Sequence, residues 1–249
     1  MTRRVALVTG SSRGLGAVIA RRLARDGMAV AVNGRRESPE LRRVVEGIRA
    51  EGGVAEAFTA DVTDVEQTGR LAAGVAERLG AIEVLVLNAT GPQPEGPIAE
   101  VGWGDHLAQL DFFVKSPILL GRAVIPEMRA RRFGRIVHID SDLADRSGPG
   151  RSAYATAKSA QIGLARTWAR ELAPDGITVN TIAPCFIPVE RHAEVSEAER
   201  AAYAARTPIG RIGLPEDIAH AVSYFASAGA GFVTGQRLLV DGGRSLERA

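Results

Sequence analysis

The chain has 249 residues, 45% apolar and 24% charged, with a formal net charge of +2 and a single cysteine. That length and apolar content suit one large globular core, while so small a charge leaves no basic footprint for nucleic acid and one cysteine excludes an internal disulfide framework. No uncharged stretch reaches the roughly 20 residues of a membrane span, the apolar run in MTRRVALVTG is too short for a signal-peptide core, and no Cys/His cluster has metal-ligand spacing, so a cytoplasmic protein without a metal or a membrane partner is expected.

Short β-branched runs alternate with longer amphipathic stretches, the pattern of βα units around a parallel sheet. Strands are expected at 5–9, 28–33, 54–60, 82–88, 135–140, 177–183 and 236–240, with helices at 15–27, 38–52, 64–79, 106–132, 152–173 and 215–227. No repeat, low-complexity segment or linker interrupts the alternation, so 1–249 is read as a single domain.

The first strand runs into Thr9-Gly10-Ser11-Ser12-Arg13-Gly14-Leu15-Gly16 and then a helix. Glycines in such a turn let the chain reverse tightly and let a pyrophosphate approach the backbone, with the helix amino terminus favouring the anion. The spacing is G-x-x-x-G-x-G, and directly after the first strand it signals a dinucleotide site. The second strand ends in Asn33-Gly34-Arg35-Arg36, without the acidic residue that would accept ribose hydroxyls. Arg35 and Arg13 can instead pair with a 2′-phosphate, which points to NADP.

The fifth strand carries IVHI and leads to Ser141, whose hydroxyl then sits at the carboxyl end of the sheet, where ligands bind in open α/β folds. Tyr154 and Lys158 follow, four residues apart and on one face if helical. A free tyrosine, with a pKa of about 10, transfers protons poorly near neutrality, and an adjacent ammonium favours phenolate and brings it towards working range. His138 reads as a core histidine within its strand, and nothing marks Cys185 as a nucleophile. Arg129, Arg131, Arg132 and Arg135 end the long helix, where cations are favourable, as a solvated face or a dock for an acidic carrier protein. The charged stretch 186–207 reads as a mobile helical insertion and a candidate substrate lid.

T-G-x-x-x-G-x-G at 9–16, Asp61-Val62, Asn88-Ala89, Ser141, Tyr154-x-x-x-Lys158, Asn180, Pro184 and the closing RIGLPEDIA…TGQRLLVDGG together resemble the short-chain dehydrogenase/reductase family, in style the 3-oxoacyl-acyl-carrier-protein reductase branch. The resemblance covers nearly the whole chain. It implies a doubly wound Rossmann fold with a seven-stranded parallel sheet and helices on both faces, assembled as a homotetramer. It further implies Tyr154 as proton donor, Ser141 as hydrogen-bond donor to the substrate carbonyl, and Lys158 as binder of the nicotinamide ribose. Thr9, Gly10, Ser12, Arg13, Gly14, Leu15, Gly16, Arg35, Asp61, Val62, Asn88, Ala89, Tyr154, Lys158, Pro184 and Ile187 form the expected cofactor-binding set, Asp61 and Val62 lining the adenine pocket.

Three departures stand out. The family's N-N-A-G appears as Leu87-Asn88-Ala89-Thr90, its P-G as Pro184-Cys185, with Val189 where many relatives carry threonine. The family's asparagine in the helix before Ser141 falls on Phe113, with Gln109 and Asp111 the nearest polar candidates. The expected activity is NADPH-dependent reduction of a ketone, a carrier-bound 3-oxoacyl or polyketide-type ketone among the candidates. An NADP-linked alcohol dehydrogenase and a catalytically weak nucleotide-binding regulator are the alternatives. The substrate pocket is expected from the loops 144–151 and 186–207.

Overall fold

The apolar runs form one parallel sheet in the computed structural model, which describes residues 3–246. Its strands are β1 (Val5–Val8), β2 (Ala29–Gly34), β3 (Val54–Thr59), β4 (Ile82–Leu87), β5 (Gly134–Ile139), β6 (Ile177–Pro184) and β7 (Arg237–Val240). They lie in the order β3-β2-β1-β4-β5-β6-β7 with every pairing parallel. The central strands are buried along their whole length, which is why the sequence shows continuous apolar runs there and not an alternation.

The helices are α1 (Gly14–Arg25), α2 (Pro39–Ala50), α3 (Val65–Arg78), α4 (Trp103–Leu110), α5 (Ser116–Arg131), α6 (Leu143–Arg146), α7 (Ser152–Leu172), α8 (Glu197–Ala205) and α9 (Pro215–Ala226). Successive strand side chains point to opposite faces. Ala6 and Val8 accordingly join a core with Ile19 of α1, Val44 of α2 and Ile218 of α9, while Val5 and Leu7 join one with Leu71 of α3, Leu120 of α5 and Ala165 of α7. Helix starts follow local chemistry. The Ser38 hydroxyl accepts from Leu41 N at 3.2 Å with Pro39 in the first turn, and the Asp64 carboxylate accepts from Gln67 N at 2.8 Å.

Two expected elements are subdivided. The stretch 106–132 is not one helix: α4 starts earlier, at Trp103, and is joined to α5 by a π-helical turn, Asp111–Lys115. There Ser116 N donates to the Asp111 carbonyl, five residues back. Pro117 follows directly and has no N–H to continue the α ladder. The stretch 186–207 holds a short 3-10 turn, Glu190–His192, and then α8, begun by a capping box in which Ser196 and Glu199 satisfy each other's backbone amides.

Strand order reverses between β1 and β4, so the crevice at their carboxyl ends is where ligands bind in such sheets.

Candidate active site

The glycine turn occupies that crevice. A Cβ at Gly10, whose φ is +61°, would lie 2.8 Å from the Ala89 Cα, and one at Gly16 would meet the Gly10 carbonyl and, at 2.5 Å, the Asn88 side-chain nitrogen. Glycine is therefore required at both positions to bring α1 down onto the turn. The Thr9 hydroxyl donates to Val86 O and accepts from Asn88 N and Ala89 N, while Asn88 Nδ2 donates back to the Thr9 and Gly10 carbonyls at 2.9 and 3.1 Å. Asn33 is a second clamp that the sequence reading passed over. Its Oδ1 accepts from Gly10 N at 3.1 Å and its Nδ2 reaches the carbonyls of Gly34, Phe58 and Ala60. A buried amide at the end of an otherwise apolar strand was the available signal.

Helix α1 begins with no side-chain cap and no acidic residue in its first turn, and the Glu190 carboxylate accepts from Gly14 N at 3.4 Å. Its amino terminus thus already receives an anionic oxygen, as a pyrophosphate site requires. Ser12, Arg13 and Gly14 line a cavity of about 500 Å³ that continues along α1 past Arg21 and Arg43. At the end of β2, Arg35 is 81% exposed and pairs with Asp61 at 3.2 Å. Burial pushes the Asp61 carboxyl up, but hydrogen bonds from Thr63 and the Arg35 guanidinium outweigh it and hold the group below its ordinary range. Val62 is buried beside it.

The second half of the site is built from β5, the turn after it, the π-helical turn and α7. Tyr154 and Lys158 lie in the first two turns of α7, both buried. Lys158 Nζ donates to the Ile139 carbonyl at 2.6 Å and to Gln161 Oε1 at 3.3 Å, and stands 3.7 Å above the Phe113 ring and 5.7 Å from the centre of the Tyr154 ring. Phe113 is 3% exposed and meets Tyr154 edge-to-face with ring centres 5.5 Å apart. So Phe113, on which the asparagine was expected to fall, offers its ring face to the ammonium. Gln161 was missed in the sequence although, three residues after Lys158, it had to share its face. Asp111 pairs with Lys115 at 3.5 Å, and Gln109 Nε2 donates to Pro92 O at 2.6 Å.

Ser141 follows β5. Its Oγ accepts from Leu143 N at 3.2 Å and donates to Asp142 Oδ1 at 3.4 Å. Leu143 packs on the Phe113, Tyr154 and Ala157 cluster, which brings the serine turn against the tyrosine helix. Burial pushes the Asp142 carboxyl up against the opposing effect of Arg146. His138 lies in the core, T-shaped to Trp168, and neither ring nitrogen has a hydrogen-bond partner among the described residues. Burial, with Lys158 nearby, pushes its ring down to about 3.

Pro184 ends β6, and Cys185 and Ile187 after it are buried. Burial pushes the Cys185 thiol up, the opposite of a reactive thiolate. Phe186 packs between the rings of His192 and Tyr203, and the Tyr203 hydroxyl accepts from Phe186 N at 3.0 Å. That small aromatic unit ties the segment before α8 to α8 itself. Among the described residues no helix is long and apolar enough to cross a membrane, and no group of three or more His, Cys, Asp or Glu could hold a metal ion.

Residues 10–245 match the family model described as Enoyl-(Acyl carrier protein) reductase. The chain is 38% identical to the short-chain reductase protein NovJ of Streptomyces niveus over 247 residues, covering 96% of this chain and 93% of that one. It is 35% identical to the 3-oxoacyl-[acyl-carrier-protein] reductase FabG of Staphylococcus aureus over 240 residues, 96% of each chain. Among solved structures, a gluconate 5-dehydrogenase from Burkholderia cenocepacia in complex with NADP and tartrate superposes with a TM-score of 0.91 at 32% identity, over 99% of this chain and 96% of that one.

Proposed function

Because the chain belongs to the short-chain dehydrogenase/reductase family, we propose that it is an NADPH-dependent reductase that converts a ketone to a secondary alcohol, with Tyr154 as the proton donor. The observation that carries this reading is the fixed ammonium of Lys158, buried beside the Tyr154 ring and anchored to the Ile139 carbonyl at 2.6 Å. When bound, NADPH supplies the hydride. The glycine turn, the start of α1, whose Gly14 N–H meets the Glu190 carboxylate, and the exposed Arg35 are fitted to hold it, with Arg13 at the mouth of the α1 cavity. Arg35 meets the 2′-phosphate by charge-assisted hydrogen bonds and exchanges its Asp61 contact to do so.

Ser141 donates to the carbonyl oxygen and stabilises the charge that develops there. Tyr154 gives its phenolic proton to the same oxygen, and the ammonium of Lys158 favours the phenolate that is left. Run in the opposite direction, the Tyr154 phenolate takes the hydroxyl proton of a secondary alcohol, whose carbon would give its hydride to NADP when that is bound. The name of the gluconate 5-dehydrogenase relative supports that reversibility.

For the substrate, we take a 3-oxoacyl or polyketide-type ketone, carrier-bound in the first instance, on the strength of the reductase named among the relatives. Residues 186–207 act as its lid, their aromatic unit next to Cys185 supplying an apolar wall. The whole chain works as one unit and assembles as a homotetramer in the cytoplasm. The exposed Ile98 and Trp103, and Phe232 and Leu238 near the β7 edge, support burial against further copies. A screen for NADPH oxidation against carrier-bound 3-oxoacyl, cyclic and aromatic ketones tests the reading. Turnover with none of them, by protein that binds NADPH, would leave the regulatory alternative in its place.

A further inference from the structure

Arg237 enters from β7, the strand at the sheet's edge, and its guanidinium reaches under the serine turn. Its Nε donates to Asp140 Oδ2 at 2.6 Å, its Nη1 to Asp145 Oδ2 at 2.6 Å and its Nη2 to the Ser141 carbonyl at 2.8 Å. One planar fork therefore grips the residue before Ser141, Ser141 itself and the short helix α6 after it. Only 12% of the Arg237 side chain is exposed and none of the Asp140 side chain. Geometry of this kind is specific to arginine, since an ammonium is a point donor that cannot span three acceptors in a plane.

Asp140 gives the contact a second consequence. It directly follows Ile139, whose carbonyl holds Lys158 Nζ, and its Oδ1 is buried without a hydrogen-bond partner among the described residues. Burial pushes this carboxyl up, opposed first by Lys158 and then by Arg237. A carboxylate so close to the ammonium competes with Tyr154 for its charge unless another cation takes it up. The charged and titratable groups gathered here are His138 of β5, Asp140, Asp142, Asp145 and Arg146 after it, Lys158 of α7 and Arg237 of β7.

We propose that Arg237 is a positioning residue with two tasks: it braces the backbone of Ser141, and it neutralises Asp140 so that the Lys158 ammonium acts on Tyr154. The inference rests on the reductase reading for its kinetic consequence but not for its electrostatic one, which the protein shows without substrate.

The test uses the full chain with Arg237→Met, Arg237→Lys and the double variant Asp140→Asn/Arg237→Met. The sequence has only three tyrosines, and burial pushes the Tyr203 phenol up to about 12. A spectrophotometric titration referenced to Tyr154→Phe therefore isolates the Tyr154 transition. In Arg237→Met the transition moves to higher pH, because Asp140 now shares the ammonium, and in the double variant it returns. Turnover on the best ketone of the screen falls in Arg237→Met by on the order of tenfold to a hundredfold, the scale of a misplaced reacting group, while NADPH affinity measured by fluorescence stays unchanged.

Arg237→Lys keeps the charge and loses the fork. Its Tyr154 transition stays near the wild-type position and its turnover still falls, and it also serves if Arg237→Met does not fold. A folded Arg237→Met with wild-type transition and turnover overturns the proposal, as does a turnover loss that follows lost thermal stability with the transition unmoved. Arg237→Lys with wild-type turnover overturns the bracing task. If the wild-type protein reduces no ketone while the transition shifts as stated, the reductase reading fails and the electrostatic task stands.

Discussion

Replacing Phe113 with leucine separates what its ring does for the ammonium from what it does for packing. Leucine keeps much of the buried volume, so the packing part of the loss should stay under about 1.5 kcal/mol, against roughly 3–5 kcal/mol for Phe113→Ala. What leucine cannot supply is the π face. Lys158 Nζ lies 3.7 Å from the ring centre in a buried setting, the desolvated case in which a cation–π contact is worth about 2 kcal/mol. The edge-to-face contact with Tyr154 adds about 0.5–1.5 kcal/mol, which positions the phenol without depending on its charge. If the whole cation–π contribution is felt in the transition state, turnover falls by up to about thirtyfold. The assay is kcat against pH in the alcohol-oxidising direction, where the phenolate is the reacting form. An ammonium held less firmly favours phenolate less, so the acidic limb moves to higher pH in Phe113→Leu. A folded Phe113→Leu protein with the wild-type kcat and an unmoved limb would refute the electrostatic role and leave Phe113 as packing alone.

Tyr154→Phe removes one hydroxyl and keeps the ring, so NADPH binding should persist while most turnover disappears, a loss confined to the transition state; wild-type turnover in this variant would mean another donor. Arg35→Ala should cut the preference for NADPH over NADH by roughly 1.5–3 kcal/mol, the scale of hydrogen bonds to charged groups, and parallel titrations with the two cofactors read it directly. Gly16→Ala should abolish cofactor binding and destabilise the chain, since its Cβ would lie 2.5 Å from Asn88 Nδ2; calorimetry and NADPH fluorescence report the two losses. His138 is neutral in the fold, with its ring pushed down to about 3 from an ordinary value near 6.5. Between those limits the unfolded chain binds the extra proton, so stability falls on acidification by up to about 1.4 kcal/mol per pH unit. Denaturant titrations of His138→Val over that window should show a shallower slope, and an unchanged slope would place the acid sensitivity elsewhere.

The sheet was legible because its strands are buried on both faces and each is bounded by glycine, proline or a cap. Even so, most boundaries moved by a residue: Gly34 extends β2 and Gly134 opens β5. The glycine turn and the Tyr154, Lys158 pair were legible because a tight turn and a helical spacing are local properties. What escaped was contact across the sheet. Nothing local links Asn33 to Gly10, 23 residues away, or Arg237 to Asp140, 97 residues away. Gln161 was readable by helical spacing, yet its bond to Lys158 matters only because both are buried. The break before Pro117 followed from proline chemistry, whereas its form as a π-helical turn depended on how α4 and α5 pack.

That turn lets α4 and α5 keep their line although the chain between them carries a surplus residue. A π turn holds one residue more than an α turn for about the same rotation. Deleting one residue from 111–115 would let an α turn take its place, leaving α4 and α5 in register with each other. Phe113 would then no longer stand over the ammonium, while α4 and its Gln109 bond to Pro92 O would stay. Insertions and deletions, commonly tolerated in loops, are therefore expected to be tolerated within 186–207 and not here, in the middle of a helix, where chain length itself sets which side chain meets Lys158.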